Sequence, residues 1–364
     1  MLIPELPSFM EKIGGKEYLG WQIGLFTITA AISRPFSGKI ADKVGRIYVM
    51  IIGVVVCIIM GFLYTLATTI IAFLLLRFLH GFSTGFKPTG TTAYVADIVP
   101  FNKRGEAMGY MGLFGSLGMA VGNAIGSPIV LYFSHDALFY ASSAFALSSI
   151  LILFRMKETL PVREKISLKH FRIGMDEIAD PKVLAPSITM LFAVFSFGVM
   201  LTIMPDFSVH LGIENKGLFF TYFTLSSLGI RLLAGRASDK YGRVAVLKIA
   251  YVIAAIAMFY LGVVDSRTGY IMAAILLGIG VGMSSPTIFA WTIDLSDVNH
   301  RGKAMSTVFI ALELGIFSGA MIGAFLYDND STRFIYAFWS GGVTVLIALG
   351  YLMFFSVREK KRIS

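Results

Sequence analysis

The sequence predicts an all-α membrane protein that crosses the bilayer many times and consists of two similar halves. Three observations support this prediction: an apolar composition, long runs of apolar residues and an internal repeat. Of the 364 residues, 56% are hydrophobic and only 15% are charged. A soluble domain of this size has too little interior to bury that much apolar surface, so most of the chain must be solvated by lipid.

The apolar residues form runs as long as a membrane span. A helix needs about 20 apolar residues to cross the hydrocarbon core of a bilayer. Runs that approach or exceed this length and are nearly free of charge lie at 47–66, 137–154, 186–204, 244–263 and 334–355. We therefore expect membrane-spanning helices along the whole chain.

The distribution of basic residues explains the net charge of +9. Most of the 31 lysines and arginines lie in every second loop, which is the positive-inside pattern. We expect a multi-pass protein of the plasma membrane, namely a bacterial inner membrane. The pattern places the basic loops, a central linker and the C-terminus in the cytoplasm and Met1 on the opposite side. No basic cluster has the interleaved aromatic residues of a nucleic-acid-binding surface, so we expect no nucleic-acid partner.

The reactive residues do not form an enzyme-like pattern. Cys57 is the only cysteine, and it lies within an apolar run. The five histidines are scattered, no metal-ligand spacing occurs, and no serine or cysteine has a plausible base partner. We therefore expect no enzyme activity, no catalytic residue, no metal and no cofactor.

The two halves of the chain repeat each other at a constant offset. Residues 34–46 align with 231–243, so that Asp42 matches Asp239, 197 positions later. This offset continues without a gap. The pairs matched in this way include Asp97 with Asp294, Arg104 with Arg301, and Gly118, Gly122 and Gly126 with Gly315, Gly319 and Gly323. Such a repeat is typical of transporters built from duplicated bundles.

The start of the first copy differs from the second. Residues 6–9 match 204–207 with one residue of slippage, and in the second copy the full apolar run 186–204 leads to this match. The first copy has only a few residues there, so we predict that it lacks most of its first helix and that the chain has eleven spans. The predicted segments are an N-terminal bundle (1–155), a cytoplasmic linker (156–183), a C-terminal six-helix bundle (184–357) and a basic cytoplasmic tail (358–364).

The loop after the first complete span carries a recognisable motif. The segment Gly38-x-x-x-Asp42-Lys43-x-Gly45-Arg46 resembles motif A of the major facilitator superfamily, which joins helices two and three in that family. The second copy, at the position where the family has its degenerate repeat, contains Gly235, Asp239, Gly242 and Arg243.

Two further motifs extend the resemblance over the whole chain. Arg77-x-x-His80-Gly81 resembles motif B of helix four. The segment Gly118-x-x-x-Gly122-Asn123-x-x-Gly126 resembles a degraded motif C of helix five, the antiporter signature. The resemblance implies the superfamily fold of two pseudo-symmetric six-helix bundles, with about eleven spans here, and the proton-antiporting drug and sugar efflux branch.

The resemblance also implies a gating role for the motif A loop. In the family this loop latches the two halves together in the outward-open state, with help from the carboxylate that matches Asp97. The alternative is a solvated loop whose charges only set topology. The candidate gating residues are Gly38, Asp42, Lys43, Gly45, Arg46 and Asp97, and in the second copy Gly235, Asp239, Gly242 and Arg243.

The fourth helix carries a polar stripe in the first half only. At about 100° per residue, Arg77, His80, Lys87 and Thr91 fall on one face. One hypothesis is that Arg77 and Lys87 line a central cavity, where they bind an anionic group or hold a titrating carboxylate. Alternatively, Arg77 braces helices within its own bundle and Lys87 snorkels to the cytoplasmic face. The matching positions of the second half are uncharged: Ala274, Leu277, Ser284 and Ile288.

Glu313 is a second candidate for the substrate or proton path. It lies about twelve residues into its helix, roughly 18 Å from the start and near the middle of the membrane. Removal from water favours the neutral form of a carboxyl group, so Glu313 could load and unload a proton. The alternative is a permanent ion pair with Arg77, Lys87 or Arg34.

The glycine series puts small residues on one helix face, where neighbouring helices can approach closely. Its members are Gly118, Gly122 and Gly126 in the first copy and Gly315, Gly319 and Gly323 in the second.

Together these patterns favour a secondary active transporter that moves a small organic solute through the lipid bilayer by alternating access, as proton-coupled efflux. One alternative is proton-linked uptake of an anionic or sugar-like solute. An alternative of another class is a non-transporting relative or truncated gene product, because the first helix is incomplete.

Overall fold

The computed structural model describes residues 2, 5–15, 18–172, 174, 178–213, 217–328 and 330–363, and the regular structure in these ranges is entirely helical. The short helix α1 (Leu6–Lys12) precedes eleven helices of 19 to 30 residues. These are α2 (Leu19–Lys43), α3 (Arg46–Tyr64), α4 (Ile70–Ile98), α5 (Arg104–Tyr132), α6 (His135–Leu153), α7 (Leu184–His210), α8 (Leu218–Tyr241), α9 (Arg243–Leu261), α10 (Arg267–Leu295), α11 (Arg301–Tyr327) and α12 (Phe334–Ile363). The predicted all-α class is confirmed.

Most of the long helices can cross a membrane. Within the described residues, eight are long and apolar enough to do so, and α8 is a ninth candidate whose two parts meet at a bend of 43°. The other two long helices are α2 and α5. The predicted polytopic class is therefore confirmed, and eleven long helices stand where the sequence predicts eleven spans.

The chain divides into two compact units whose boundaries cross the two repeats. Unit 1 comprises Met1–Ile98, Leu117–Pro181 and Ser296–Ile310, and unit 2 comprises Val99–Ser116, Lys182–Leu295 and Ala311–Ser364. The start of α11 thus belongs to unit 1 and the start of α5 to unit 2. The domain boundaries predicted above follow the repeats and stay predictions, and the side chains of the predicted tail 358–364 lie outside the described set.

Unit 1 is organised around α4. This helix packs against α2 and α3, and α3 also packs against α6. The short α1 is anchored in the same core, because the ring of Phe9 lies 5.4 Å from that of Phe73 and 5.2 Å from that of Phe139. Leu6 and Met10 are buried beside it.

Unit 2 shows the same internal arrangement. Helix α10 packs against α8 and α9, and α12 packs against α9 and α7. Near the end of α7, the ring of Phe207 lies 6.2 Å from Tyr270 and 5.0 Å from Phe338. Phe73 and Tyr270 are 197 positions apart, so α1 occupies in its unit the place of the last turns of α7. The structure thereby supports the predicted match of residues 6–9 with 204–207.

The two glycine series differ in their surroundings. A Cβ atom added to Gly315 would lie 2.5 Å from the carbonyl oxygen of Leu191, and one on Gly319 would touch the carbonyl oxygen of Phe195, so both glycines let α11 approach α7. Gly118, in contrast, is exposed and has no atom within 4 Å of an added Cβ. The close packing expected at Gly118 is absent, because α7 has no full-length counterpart among the described residues of unit 1.

The remaining glycines of the two series are more enclosed. Gly323 packs against Val199 of α7, Gly126 is buried and Gly122 is half-buried. The side chain of Asn123, in the degraded motif C, lies outside the described residues.

Candidate functional site

The motif A residues form a buried charge network where α2 ends and α11 begins. Arg46 Nη1 lies 2.5 Å from Asp42 Oδ1, and Arg46 Nε donates to Asp97 Oδ2 at 3.1 Å. Arg301, the first residue of α11, donates from Nη1 to the other oxygen of Asp97 at 2.7 Å. Two acids and two arginines therefore alternate in what we call the first charge network: Asp42, Arg46, Asp97 and Arg301.

Asp42 also binds the start of α11 directly. Its carboxylate accepts hydrogen bonds from the backbone N–H groups of Gly302 at 2.8 Å and Lys303 at 2.9 Å. The N–H groups of a first helical turn lack partners within the helix and carry partial positive charge, so a carboxylate there is stabilising. The approach requires glycine at position 38, because an added Cβ would lie 2.9 Å from the Cβ of Ser306.

Unit 2 contains a second charge network built in the same way. Arg243 pairs through Nη1 with Asp239 and donates from Nε to Asp294 Oδ2 at 2.9 Å. Arg104, the first residue of α5, approaches the other oxygen of Asp294 at 3.4 Å. The four residues of this network stand at the positions that the repeat predicts from the first.

The second network also binds a helix start. Asp239 accepts hydrogen bonds from the backbone N–H groups of Gly105 at 3.0 Å and Glu106 at 3.1 Å, in the first turn of α5. Glycine at position 235 is needed for this approach, because an added Cβ would lie 2.5 Å from the carbonyl oxygen of Gly105. Each network therefore joins the end of one helix to the start of another.

The first network is the more deeply buried of the two. The side chains of Arg46 and Asp42 are 1% and 5% exposed, whereas those of Arg243 and Asp239 are 10% and 13% exposed. Charge pairs attract more strongly where water is excluded. We therefore expect the first network to hold its helices together more firmly than the second.

The other predicted gating residues contribute through the backbone. Gly45 and Gly242 have φ of 152° and 91°, a conformation that other residues rarely adopt, so both serve as turning points into α3 and α9. Lys43 has an exposed side chain, and its carbonyl oxygen accepts a hydrogen bond from the backbone N–H of Glu164 at 2.8 Å.

The polar stripe of α4 divides into a buried and an exposed part. Arg77 donates to the backbone oxygen of Gln22 at 3.3 Å and to the Tyr64 hydroxyl at 3.5 Å, and its guanidinium lies 4.4 Å from the centre of the Phe26 ring. These contacts with α2 and α3 match the bracing alternative, and among the described residues no acidic side chain lies within ion-pair distance of Arg77. Lys87 is exposed. Its carbonyl oxygen accepts a hydrogen bond from the Thr91 hydroxyl at 2.9 Å.

His80 extends the cluster around Arg77. Its Nδ1 lies 2.9 Å from the Tyr64 hydroxyl and its Nε2 lies 3.6 Å from Cys57 Sγ. Because Arg77 can only donate to the Tyr64 oxygen, the Tyr64 hydrogen is free to point at His80 Nδ1. This arrangement favours a neutral His80 that carries its proton on Nε2, towards Cys57.

The contribution of this cluster to stability can be tested by comparing Tyr64, which belongs to it, with Tyr251, a buried tyrosine of α9. Tyr64→Phe is expected to lower the free energy of unfolding by about 1–2 kcal/mol, because His80 and Arg77 lose a buried partner. Tyr251→Phe is expected to leave the free energy of unfolding unchanged or to raise it, because the buried Tyr251 hydroxyl has no hydrogen-bond partner in the described part of the chain. Thermal unfolding of the purified variants measures both changes in stability. Equal losses of stability in the two variants would contradict the role given to the Tyr64 hydroxyl.

Glu313 is buried in α11, as the sequence predicts for a carboxylate at membrane depth. Arg34, one of its three candidate partners, is also buried and donates to the backbone oxygen of Gly85 at 3.3 Å and to the Thr89 hydroxyl at 3.2 Å. Its guanidinium lies 4.2 Å from the centre of the Phe309 ring. Whether Glu313 titrates or forms a permanent ion pair stays a prediction. Within the described ranges, no cluster of three or more His, Cys, Asp or Glu residues could hold a metal ion.

Sequence reasoning missed four residues that complete the networks. Arg104 and Arg301 were aligned by the repeat, and an arginine that is duplicated beside a duplicated helix start is a signal that could have identified them. Glu158 and Thr159, in the linker, contact the first network and have no such signal, because the repeat contains no linker.

The chain is similar over its whole length to known membrane proteins. The family model for the Major Facilitator Superfamily matches residues 1–230 and 186–364. Multidrug resistance protein 2 of Bacillus subtilis (strain 168) is 25% identical over 373 residues, which cover 99% of this chain and 92% of that protein. Multidrug resistance protein MdtG of Salmonella typhimurium is 26% identical over 358 residues, covering 94% and 88%.

Solved structures show the same fold. The human organic anion transporter MFSD10 (TETRAN) superimposes with a TM-score of 0.78 at 20% identity, covering 96% of this chain and 89% of that one. The proton:xylose symporter XylE superimposes with a TM-score of 0.79 at 16% identity, covering 97% and 90%.

Proposed function

Because the chain belongs to the Major Facilitator Superfamily and is a multi-pass membrane transporter, not an enzyme, we propose that it exports a small organic solute in exchange for protons. The observation that supports alternating access is the buried first charge network, which joins the end of α2 to the start of α11. A transporter that works by alternating access needs such a connection on one side of the membrane, and the connection must be able to open.

The first charge network has the properties of a reversible latch. When α11 moves away, the bonds from Arg301 to Asp97 and from Gly302 and Lys303 to Asp42 break. Arg46 of α3 keeps both of its acidic partners, Asp42 of α2 and Asp97 of α4. None of these three residues is therefore left as an isolated buried charge, which would cost free energy. The two arrangements can therefore have similar free energies, as a gate requires.

Export is supported by the curated relatives, which are named as multidrug resistance proteins of bacteria. The same relatives and the positive-inside pattern support a location in the bacterial inner membrane, with the basic loops and the linker in the cytoplasm. Proton coupling is supported by Glu313, a buried carboxyl group in α11.

Uptake of an anionic solute is the second candidate. Arg77 is buried and has no carboxylate within ion-pair distance among the described residues, and Lys87 of the same helix is exposed. These two cations have no counterpart in the second half and would attract a negatively charged group.

The direction of transport can be tested by growth inhibition. Bacteria without their own major exporters would express the chain and grow with a panel of toxic cationic, neutral and anionic compounds. Export predicts resistance to at least one compound, whereas uptake predicts increased sensitivity to an anionic one. Sensitivity without any resistance would refute the export proposal in favour of uptake.

Replacing Lys87 with methionine is expected to reduce transport at least tenfold while leaving membrane insertion intact. The change removes the charge but keeps an apolar stem of similar length, so a loss of transport reports on the charge. Lys103→Met, which removes an exposed charge from the short 3-10 helix between α4 and α5, is the matched control and should transport normally. Unchanged transport by Lys87→Met at equal amounts of protein would exclude Lys87 from the solute or proton path.

A further inference from the structure

We propose that Glu158 and Thr159, at the start of the linker, are positioning residues that keep the first charge network in the geometry needed to hold α11. This inference rests on the latch role proposed for that network. It adds a third component to the latch, supplied by the segment of chain that connects the two halves.

Glu158 binds the start of α3 with both of its carboxylate oxygens. Oε1 accepts a hydrogen bond from the backbone N–H of Arg46 and Oε2 accepts one from that of Ile47, each at 3.0 Å. These N–H groups belong to the first turn of α3 and have no partner within the helix. A carboxylate at this position also opposes the partial positive charge of the helix start. Glu158 therefore fixes the backbone that carries the Arg46 side chain.

The turn before α3 is shaped to receive this carboxylate. A Cβ atom added to Gly45 would lie 2.5 Å from Glu158 Oε2. The glycine thus has two reasons to be there: its positive φ and the space that Glu158 occupies. Glu158 in turn is held by the backbone N–H groups of Thr159 at 3.0 Å and Leu160 at 3.1 Å, which bind Oε1.

Thr159 binds the other side of the network. Its hydroxyl donates to Asp97 Oδ2 at 2.8 Å, the same oxygen that accepts from Arg46 Nε at 3.1 Å. The second oxygen of Asp97 is the one that binds Arg301 of α11. The linker therefore fixes both partners of the central pair, Arg46 through its backbone and Asp97 through its side chain.

Among the described residues, the second charge network has no such support. At the offset of 197, positions 158 and 159 fall on Phe355 and Ser356, which carry no carboxylate. The described contacts of Asp294 with basic residues come from Arg243 and Arg104 alone. In the part of the linker that the structure describes, side-chain contacts with a network are made to the first network alone, and we expect their loss to release α11 and leave the start of α5 in place.

A single cysteine at position 306 can report on release of α11. Ser306 is buried and faces Gly38 of α2 across the closed latch. In a Cys57→Ser background, Ser306→Cys gives a protein with one thiol, which a membrane-impermeant maleimide can reach from the predicted cytoplasmic side only when α11 separates from α2. The labelling rate in inside-out membrane vesicles then follows the population of the open state.

Glu158→Gln is expected to raise the labelling rate about tenfold, which corresponds to about 1.4 kcal/mol. Thr159→Val should raise it less, because it removes one hydrogen bond. Glu158→Asp, which keeps the charge, should restore most of the slow rate. Glu164→Gln is the matched control in the same linker. Hydrogen bonds, first from Lys169 and second from His170, lower the pKa of the exposed Glu164 carboxyl, so this variant also removes a negative charge. The Glu164 side chain does not touch the network.

Asp42→Asn, which breaks the latch itself, separates the possible failures. If Asp42→Asn labels fast but Glu158→Gln and Thr159→Val label as slowly as the parent, the linker has no positioning role and this inference is wrong. Fast labelling of Glu164→Gln to the same extent as Glu158→Gln would also overturn it. If Asp42→Asn itself labels slowly, the latch role fails, and the inference fails with it. Should Glu158→Gln not accumulate as folded protein, the labelling rates of the other variants decide. Thr159→Val should then label faster than the parent and Glu158→Asp nearly as slowly as the parent. Equal rates for Thr159→Val and the parent would overturn the inference.

Discussion

Asp42→Asn is expected to reduce solute transport at least tenfold, the largest effect of any change in the charge networks. Asp42 is almost fully buried and holds together three groups: the Arg46 guanidinium and the first N–H groups of α11. Asparagine keeps the shape, but it is neutral and presents an N–H₂ group where only acceptors fit. The Arg46–Asp42 pair is present in both states of the gate, whereas the hydrogen bonds from Gly302 and Lys303 exist only in the closed state. Hydrogen bonds to a charged group contribute about 1.5–3 kcal/mol each, so weakening these two shifts the gate towards its open form.

Asp239→Asn, the same change in the second network, is the matched comparison. The Asp239 side chain is more exposed, so we expect a smaller loss of transport. Rates of solute movement at equal amounts of inserted protein measure both effects. An equal or larger loss for Asp239→Asn would show that burial does not decide which network controls the gate.

Glu313→Gln is expected to abolish the dependence of transport on a pH gradient. A glutamine side chain cannot carry a proton between the two sides of the membrane, whereas it fills the same space. We expect solute movement driven by a pH gradient to fall more than tenfold, to the level seen without a gradient. Movement of solute down its own concentration gradient should persist, because the solute site and the gate remain.

Asp136→Asn supplies the control for this prediction, because Asp136 is an exposed carboxylate in the first turn of α6. It should keep the full response to the pH gradient. A Glu313→Gln protein that still responds fully would exclude Glu313 as the proton carrier. A protein that no longer folds would instead favour the permanent ion pair.

The internal repeat and the motif resemblance made most of the fold and the members of the two charge networks predictable. The resemblance to motif A indicated Asp42, Arg46 and Asp97, its second copy indicated Asp239 and Arg243, and the offset of 197 aligned Asp294 with Asp97. The structure brings each set together within its own unit, as the duplicated charges indicate. The positive-inside rule depends on lysines and arginines and needs no carboxylates. Repeated pairs of opposite charge therefore indicate ion pairing in addition to membrane topology.

The helical angle was less informative for the stripe on α4. An angle of about 100° per residue puts Arg77, His80 and Lys87 on one face, but it does not show what that face meets at each depth. In the structure, Arg77 and His80 meet α2 and α3 through Gln22 and Tyr64, whereas Lys87 is exposed. The identity of the neighbouring helix, which periodicity cannot give, decides between bracing and cavity lining.

Two further features could not be predicted from one repeat. Gly118 and Gly315 are equivalent in sequence, but only Gly315 meets a full-length helix. Glu158 lies in a linker that occurs once, and its four backbone partners depend on how that linker folds against α3. In both cases the surroundings of a residue, which lie elsewhere in the chain, determine its role.

Proton-driven export is tested most directly with purified protein in liposomes, oriented so that its predicted periplasmic face lies on the inside. A solute selected by the growth panel would be offered outside, on the predicted cytoplasmic face, with the interior acidic, and its accumulation followed over time. We predict accumulation that stops when a protonophore removes the gradient, together with alkalinisation of the interior as protons leave. Accumulation that is indifferent to the gradient, or that occurs only when the gradient is reversed, would contradict the proposal.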